Sequence, residues 1–128
     1  MEHPLRKIGI MIGLNNRVHT YARPEVKQAL TEFFTNVFEA DVMQVEGSPM
    51  LVFRFPDGSS YSVEFIEEAL DEQQALRGAW LEVRTDDPEA LKERISAAGL
   101  EKVEYVTDRF YFQAPGGQIW GVLSETSE

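Results

Sequence analysis

The feature that most constrains this chain is an internal repeat. The segment Pro56-Asp57-Gly58-Ser59-Ser60-Tyr61-Ser62-Val63 returns 59 positions later as Pro115-Gly116-Gly117-Gln118-Ile119-Trp120-Gly121-Val122, with Pro, Gly, an aromatic residue and Val in register. Proline fixes φ and glycine accepts positive φ, so each segment opens on a turn, and the alternating residues behind it read as the second arm of a hairpin. The first arms match as well. Leu51-Val52-Phe53-Arg54-Phe55 and Phe110-Tyr111-Phe112-Gln113-Ala114 are both strongly apolar at every second position.

One helical pattern precedes each hairpin. Val26, Leu30, Phe33 and Val37 give the first, and Leu91, Ile95 and Ala98 the second, so each helix can bury a single apolar stripe. Pro24 and Pro88 suit a first helical position, Asp87 can cap the second helix, and Gly99 stands where a left-handed end is expected. Ahead of the second helix, Ala79 to Arg84 alternates as a strand does. Ahead of the first, the apolar run Ile8-Gly9-Ile10-Met11-Ile12-Gly13-Leu14 is a candidate strand, which leaves Arg17-Val18-His19-Thr20-Tyr21 as a loop. Weaker strand signals follow the helices at Asp41–Val45 and Lys102–Val106. Two βαβββ modules result, about 6–67 and 78–125, in one domain over 1–128. The acidic stretch at about 67–78 reads as a linker with at most a turn or two of helix.

Composition narrows the function classes. A length of 128 residues with 43% hydrophobic content supports one core. The absence of cysteine excludes disulfides and thiolate metal sites and agrees with a cytoplasmic location. Twenty-two acidic against twelve basic residues give a net charge of −10, which argues against nucleic acid and anionic membrane as partners. There is no secretory signal and no apolar run of spanning length. Nor does the sequence offer a Ser/His/Asp or Cys/His set, a phosphate-binding glycine loop or a dinucleotide fingerprint.

Strand alternation divides the hairpin residues between two faces. One face, with Phe53, Tyr61, Val63, Phe112, Trp120 and Val122, packs the helices. The other is mixed, and its Arg54, Ser62, Glu64, Trp80, Glu82, Arg84, Tyr111 and Gln113 are the candidate ligand-binding residues. Trp80 and Tyr111 can stack a flat molecule, while the charged residues orient polar groups.

At this point the pattern resembles the vicinal oxygen chelate superfamily, which includes glyoxalase I, the bleomycin-resistance proteins and the extradiol dioxygenases. The likeness rests on Phe33-Phe34-Thr35-Asn36-Val37-Phe38, on Asp86-Asp87-Pro88-Glu89-Ala90-Leu91 with Ala97-Ala98-Gly99-Leu100, and on Phe110 through Trp120, in order and twice over. It implies an α+β fold in which the two βαβββ modules form a curved mixed sheet around a cup, with the helices on the outer face. Enzymes of that superfamily hold a divalent metal through the first and last strands of each unit. Here those positions fall at Ser62 and Gly121 in the last strands, at or next to Trp80 in the second unit and, counted back from Phe33, at His19 in the first. Counted back from the helix prolines, however, His19 matches Val83, too deep in its strand to be a ligand site.

The resemblance therefore implies a metal-free small-molecule binding protein of the glyoxalase/bleomycin-resistance type, drug- or metabolite-sequestering, with no cofactor and with no catalytic residue assigned. Family members of this length commonly pair, which implies a homodimer. The alternative is a metal-dependent lyase, isomerase or dioxygenase with atypical ligands drawn from His19, Glu64 and Glu82. A third reading has Glu64 or Glu82 as a general base without metal.

Overall fold

The computed structural model describes residues 10–76, 78–105 and 109–125. Ile8, Gly9 and Val106, each given a place above, lie outside the described residues. The first repeat runs β1 (Arg17–Ala22), a 3-10 turn (Pro24–Val26), α1 (Lys27–Asn36), β2 (Asp41–Gln44), β3 (Met50–Arg54) and β4 (Ser60–Phe65). A short α2 (Glu72–Ala75) follows, capped at Asp71 by reciprocal hydrogen bonds with Gln74. The second repeat runs β5 (Trp80–Thr85), α3 (Pro88–Ala97), β6 (Lys102–Val103), β7 (Phe110–Gln113) and β8 (Ile119–Ser124).

These strands make two four-stranded mixed sheets with the same topology, β1-β4-β3-β2 and β5-β8-β7-β6. In each, the first strand lies parallel to the last and the remaining pairs are antiparallel. The expected helix ends are present: Pro88 opens α3, the Asp87 carboxylate accepts from the Ala90 amide at 3.1 Å, and Gly99 has φ +87. After α1 the left-handed position is taken by Glu39, at φ 58.

The first strand is not where the apolar run suggested. Ile10, Met11, Ile12 and Leu14 lie exposed outside any strand, and β1 is the next segment along. A continuous apolar run gives a half-buried strand no wet side. Arg17–Ala22 does alternate, and Val18, Thr20 and Ala22 face Tyr61, Val63 and Phe65 across the parallel ladder. A hydrogen bond of 2.7 Å between Thr20 Oγ1 and the Tyr61 hydroxyl ties the two strands on the buried side.

The helix-side faces of both sheets share one core. Phe34 of α1 packs on Phe53 and Tyr61 of the first sheet and on Trp120 of the second, with ring centroids 5.0, 5.1 and 5.8 Å away. Phe38 reaches Phe112 and Trp120, and Tyr61 itself touches Trp120 at 5.1 Å. Edge-on and tilted aromatic pairs of this kind each add about 0.5–1.5 kcal/mol beyond area burial. The two repeats are thereby joined through the faces that carry their helices, and each sheet turns its other face away from the shared core. Among the described residues no helix is long and apolar enough to cross a membrane.

Candidate functional site

Register fixes which side chains share the far face of the first sheet. His19 of β1, Ser62 of β4, Val52 of β3 and Met43 of β2 form one row across it. Arg17, Ser60, Arg54 and Asp41 form the next row in one direction, and Tyr21, Glu64 and Met50 the next in the other. Within this set His19 Nδ1 lies 2.7 Å from Ser62 Oγ and Nε2 lies 3.3 Å from Glu64 Oε1. The His19 and Glu64 side chains are each about one-third exposed, at 35% and 36%. The Tyr21 ring stands edge-on to the imidazole at 5.0 Å and is itself 54% exposed.

A cleft of about 400 Å³ runs along the free edge of β1. His19 and Tyr21 line it together with Tyr61, with Ile66, Leu70 and Ala75 of the connection between the repeats, and with the turn at Gly116 and Gly117 of the second repeat. Burial pushes the Tyr61 phenol up to about 12, against the smaller opposing pull of its bond to Thr20. The phenol is a fixed neutral group, part of the wall.

The far face of the second sheet is already occupied by the protein's own side chains. Tyr111 is only 1% exposed, wedged against Gly121 and met edge-on by Trp80 and Tyr105 at 5.2 and 5.1 Å. Its ring therefore offers no free surface for stacking, contrary to the expectation for an exposed cup residue. Trp80 remains 46% exposed. Glu82 accepts a 2.6 Å charge-assisted bond from Arg109. Gln113 donates to the carbonyls of Glu72 and Gly117, anchoring the linker, and Arg84 donates to the carbonyl of Glu125. Of the eight expected ligand contacts, Ser62, Glu64 and Arg54 lie together on the open first sheet, and Arg54 has no ion-pair partner among the described residues.

The register also corrects the match between halves. His19 faces Ser62 in the first sheet and Glu82 faces Gly121 in the second, so Glu82, not Trp80 or Val83, is the counterpart of His19. The roles of Tyr21, Arg17 and Arg109 escaped the sequence reading because all three depend on a correctly placed β1 or on a side chain from outside the strands.

No protein-family model matches this sequence, and no curated protein matches it. Solved structures do. A mutant of the fosfomycin resistance protein FosX from Listeria monocytogenes, complexed with Mn(II) and 1S,2S-dihydroxypropylphosphonic acid, superposes with a TM-score of 0.69 at 17% identity over 88% of this chain and 90% of that one. A possible glyoxalase from Bacillus cereus gives 0.65 at 19% identity, covering 88% and 99%. A glyoxylase/bleomycin resistance protein/dioxygenase domain from Frankia sp. EAN1pec gives 0.68 at 12% identity, covering 89% and 93%. The chain has the vicinal oxygen chelate fold, as its duplicated hairpins implied.

That fold raises the question of a metal, which the donor set answers for one chain. At the four equivalent strand positions stand His19, Ser62, Glu82 and Gly121, and Glu82 is held by Arg109. Among the described residues no three His, Cys, Asp or Glu side chains converge closely enough to share a cation. The residues present within one chain do not fit a bound divalent ion.

Proposed function

We propose that this protein is a metal-free small-molecule binding protein of the glyoxalase/bleomycin-resistance type, acting in the cytoplasm, whose ligand sits on the open face of the first sheet. The observation that carries the reading is the asymmetry between the halves. The second sheet fills its far face with Tyr111, Trp80 and the Glu82–Arg109 pair, whereas the first leaves the linked His19, Ser62 and Glu64, with Arg54, Tyr21 and Met43, at least partly open to solvent beside a cleft of about 400 Å³. Concave or semi-open surfaces combining apolar walls with a few convergent polar groups are where small ligands bind.

A homodimer belongs to the same reading. Each far face points away from the shared core, so a cup needs a second molecule to close it. Exposed Met43, Tyr21, Trp80 and the Ile10–Leu14 segment supply apolar area for that contact. Sedimentation at micromolar concentration is expected to give a dimer, and a monomer there removes this part of the proposal.

The binding test is a thermal-shift screen against cationic aromatic compounds and thiol conjugates. A ligand at a hundred times its dissociation constant adds about 2.7 kcal/mol to the native state, a shift of several degrees. Absence of any shift across both classes leaves the reading without support. Metal content measured before contact with chelator or nickel resin checks the remaining clause, and a stoichiometric transition metal overturns it.

A further inference from the structure

The contacts around His19 say more than that it is polar and half-buried. A carboxylate only accepts hydrogen bonds, so the Nε2 facing Glu64 at 3.3 Å must carry a proton. In the neutral ring that leaves Nδ1 with a lone pair, and Nδ1 is the atom 2.7 Å from Ser62 Oγ. In that form the serine hydroxyl donates to the imidazole, its nearer acceptor, with the Val18 carbonyl 3.4 Å away as the competing one. Ser62, His19 and Glu64 form an ordered relay of nucleophile, base and positioning carboxylate, the arrangement that activates an alcohol for attack. It is assembled by pairing β1 with β4: Ser62 and Glu64 occupy successive same-face places on β4, and His19 lies directly opposite Ser62.

We infer that this relay makes Ser62 a nucleophile for acyl transfer, and that its substrates are esters or thioesters carrying an anionic group. Arg17 and Arg54 flank Ser60 on the same face, one strand repeat or about 7 Å from Ser62, and with Asp41 opposite Arg54 the row keeps one positive charge in surplus. Neither arginine has an ion pair within 4 Å among the described residues. A carboxylate or phosphate on the substrate would neutralise this surplus while the cleft along β1 receives the rest of the molecule. In the first step Ser62 Oγ bonds to the acyl carbon as its proton passes to His19 Nδ1. The bond from that carbon to the leaving oxygen or sulfur then breaks, and His19 returns the proton to the departing alcohol or thiol. Water repeats the sequence on the acyl-serine, releasing the acid and restoring Ser62. Ser62 and His19 are the catalytic residues, and Glu64 is a positioning residue.

The inference goes beyond ligand binding and is tested separately from it. Incubated with a fluorophosphonate probe, the protein is expected to take up one label per chain, mapped by peptide mass spectrometry to Ser62. It is expected to hydrolyse mono-4-nitrophenyl succinate faster than neutral 4-nitrophenyl acetate. Ser62→Ala abolishes the label, His19→Asn slows it at least a hundredfold, and Glu64→Gln slows it about tenfold with rescue by Glu64→Asp, all at unchanged melting temperature. No label on Ser62, or equal labelling in His19→Asn, overturns the relay. If His19→Asn fails to fold, Glu64→Gln against Glu64→Asp still decides, because equal rates in those two remove the positioning role and the relay with it. Thermal-shift hits that persist without any labelling leave binding standing and acyl transfer refuted.

Discussion

His19 and Glu82 occupy the same place in the two repeats: each stands on a first strand directly opposite a last-strand residue, Ser62 and Gly121, and those two are 59 positions apart in the chain. The duplicated scaffold has thus been furnished differently on its two sides. A hydroxyl under His19 builds a polar relay, and a missing side chain opposite Glu82 makes room for a tyrosine ring.

That room is measurable. A Cβ on Gly121 would lie 2.8 Å from Tyr111 Cε1 and 3.1 Å from Cδ1, and the buried ring has nowhere to retreat. Gly121→Ala is expected to destabilise by about 1–3 kcal/mol, read as a lower urea midpoint. Adding Tyr111→Leu should recover part of that loss, so that the double variant is more stable than the sum of the singles. Strict additivity would show that the two side chains do not compete for the same space.

Phe34 links both sheets, since its ring contacts Tyr61 on one and Trp120 on the other. Phe34→Ala is expected to cost about 3–5 kcal/mol. Tryptophan fluorescence and far-ultraviolet circular dichroism should still report one coincident transition. Two resolved transitions would mean that the repeats are separate folding units.

Alkaline stability follows from Tyr61. Its folded pKa is raised to about 12 from 10, so its contribution is complete below pH 10, where both states are protonated. It falls as pH rises towards 12, because only the unfolded chain releases the proton in that interval. The loss across the interval is about 3 kcal/mol at most. Tyr61→Phe is expected to flatten the stability profile between pH 10 and 12, and an unchanged slope in that variant would assign the alkaline loss to other groups.

Glu39 has φ 58 and a 2.6 Å contact to Arg94, with both side chains at least half exposed. Left-handed backbone costs an L residue about 1–2 kcal/mol, whereas an exposed ion pair contributes about 0–1 kcal/mol. Glu39→Gly is therefore expected to raise the denaturation midpoint, and Glu39→Ala, which keeps the strain and loses the pair, to lower it. The opposite order would make the ion pair the larger effect.

The fold was legible because Pro, Gly, aromatic and Val recur in register, and a hairpin seen twice leaves little freedom in between. Two things were hidden. The first strand lies five residues before Pro24 when counted from His19, but six before Pro88 when counted from its true counterpart Glu82. Counting across a connection that differs by one residue moves the alignment from Glu82 to Val83, which faces the other side of the sheet. The 3-10 turn at Pro24–Val26, which the second repeat lacks, accompanies that offset. The relay was hidden for a different reason. Ser62 and His19 meet through a parallel pairing across 43 residues, a contact that leaves no spacing signal in the sequence. Alternation also assigned Tyr111 to the correct face without revealing that Trp80 and Tyr105 would cover it.

The aromatic junction at Trp120 has a consequence for how the protein is made. Tyr61 meets its partner only when the chain has grown by another 59 residues, which at ordinary synthesis rates takes roughly 3–12 s. Throughout that interval Phe34, Phe38 and Tyr61 have no second sheet to cover them. The newborn first half is thus an obvious client for a chaperone that binds aromatic surface. Slow codons placed late in the message would lengthen its exposure and lower the yield of folded protein.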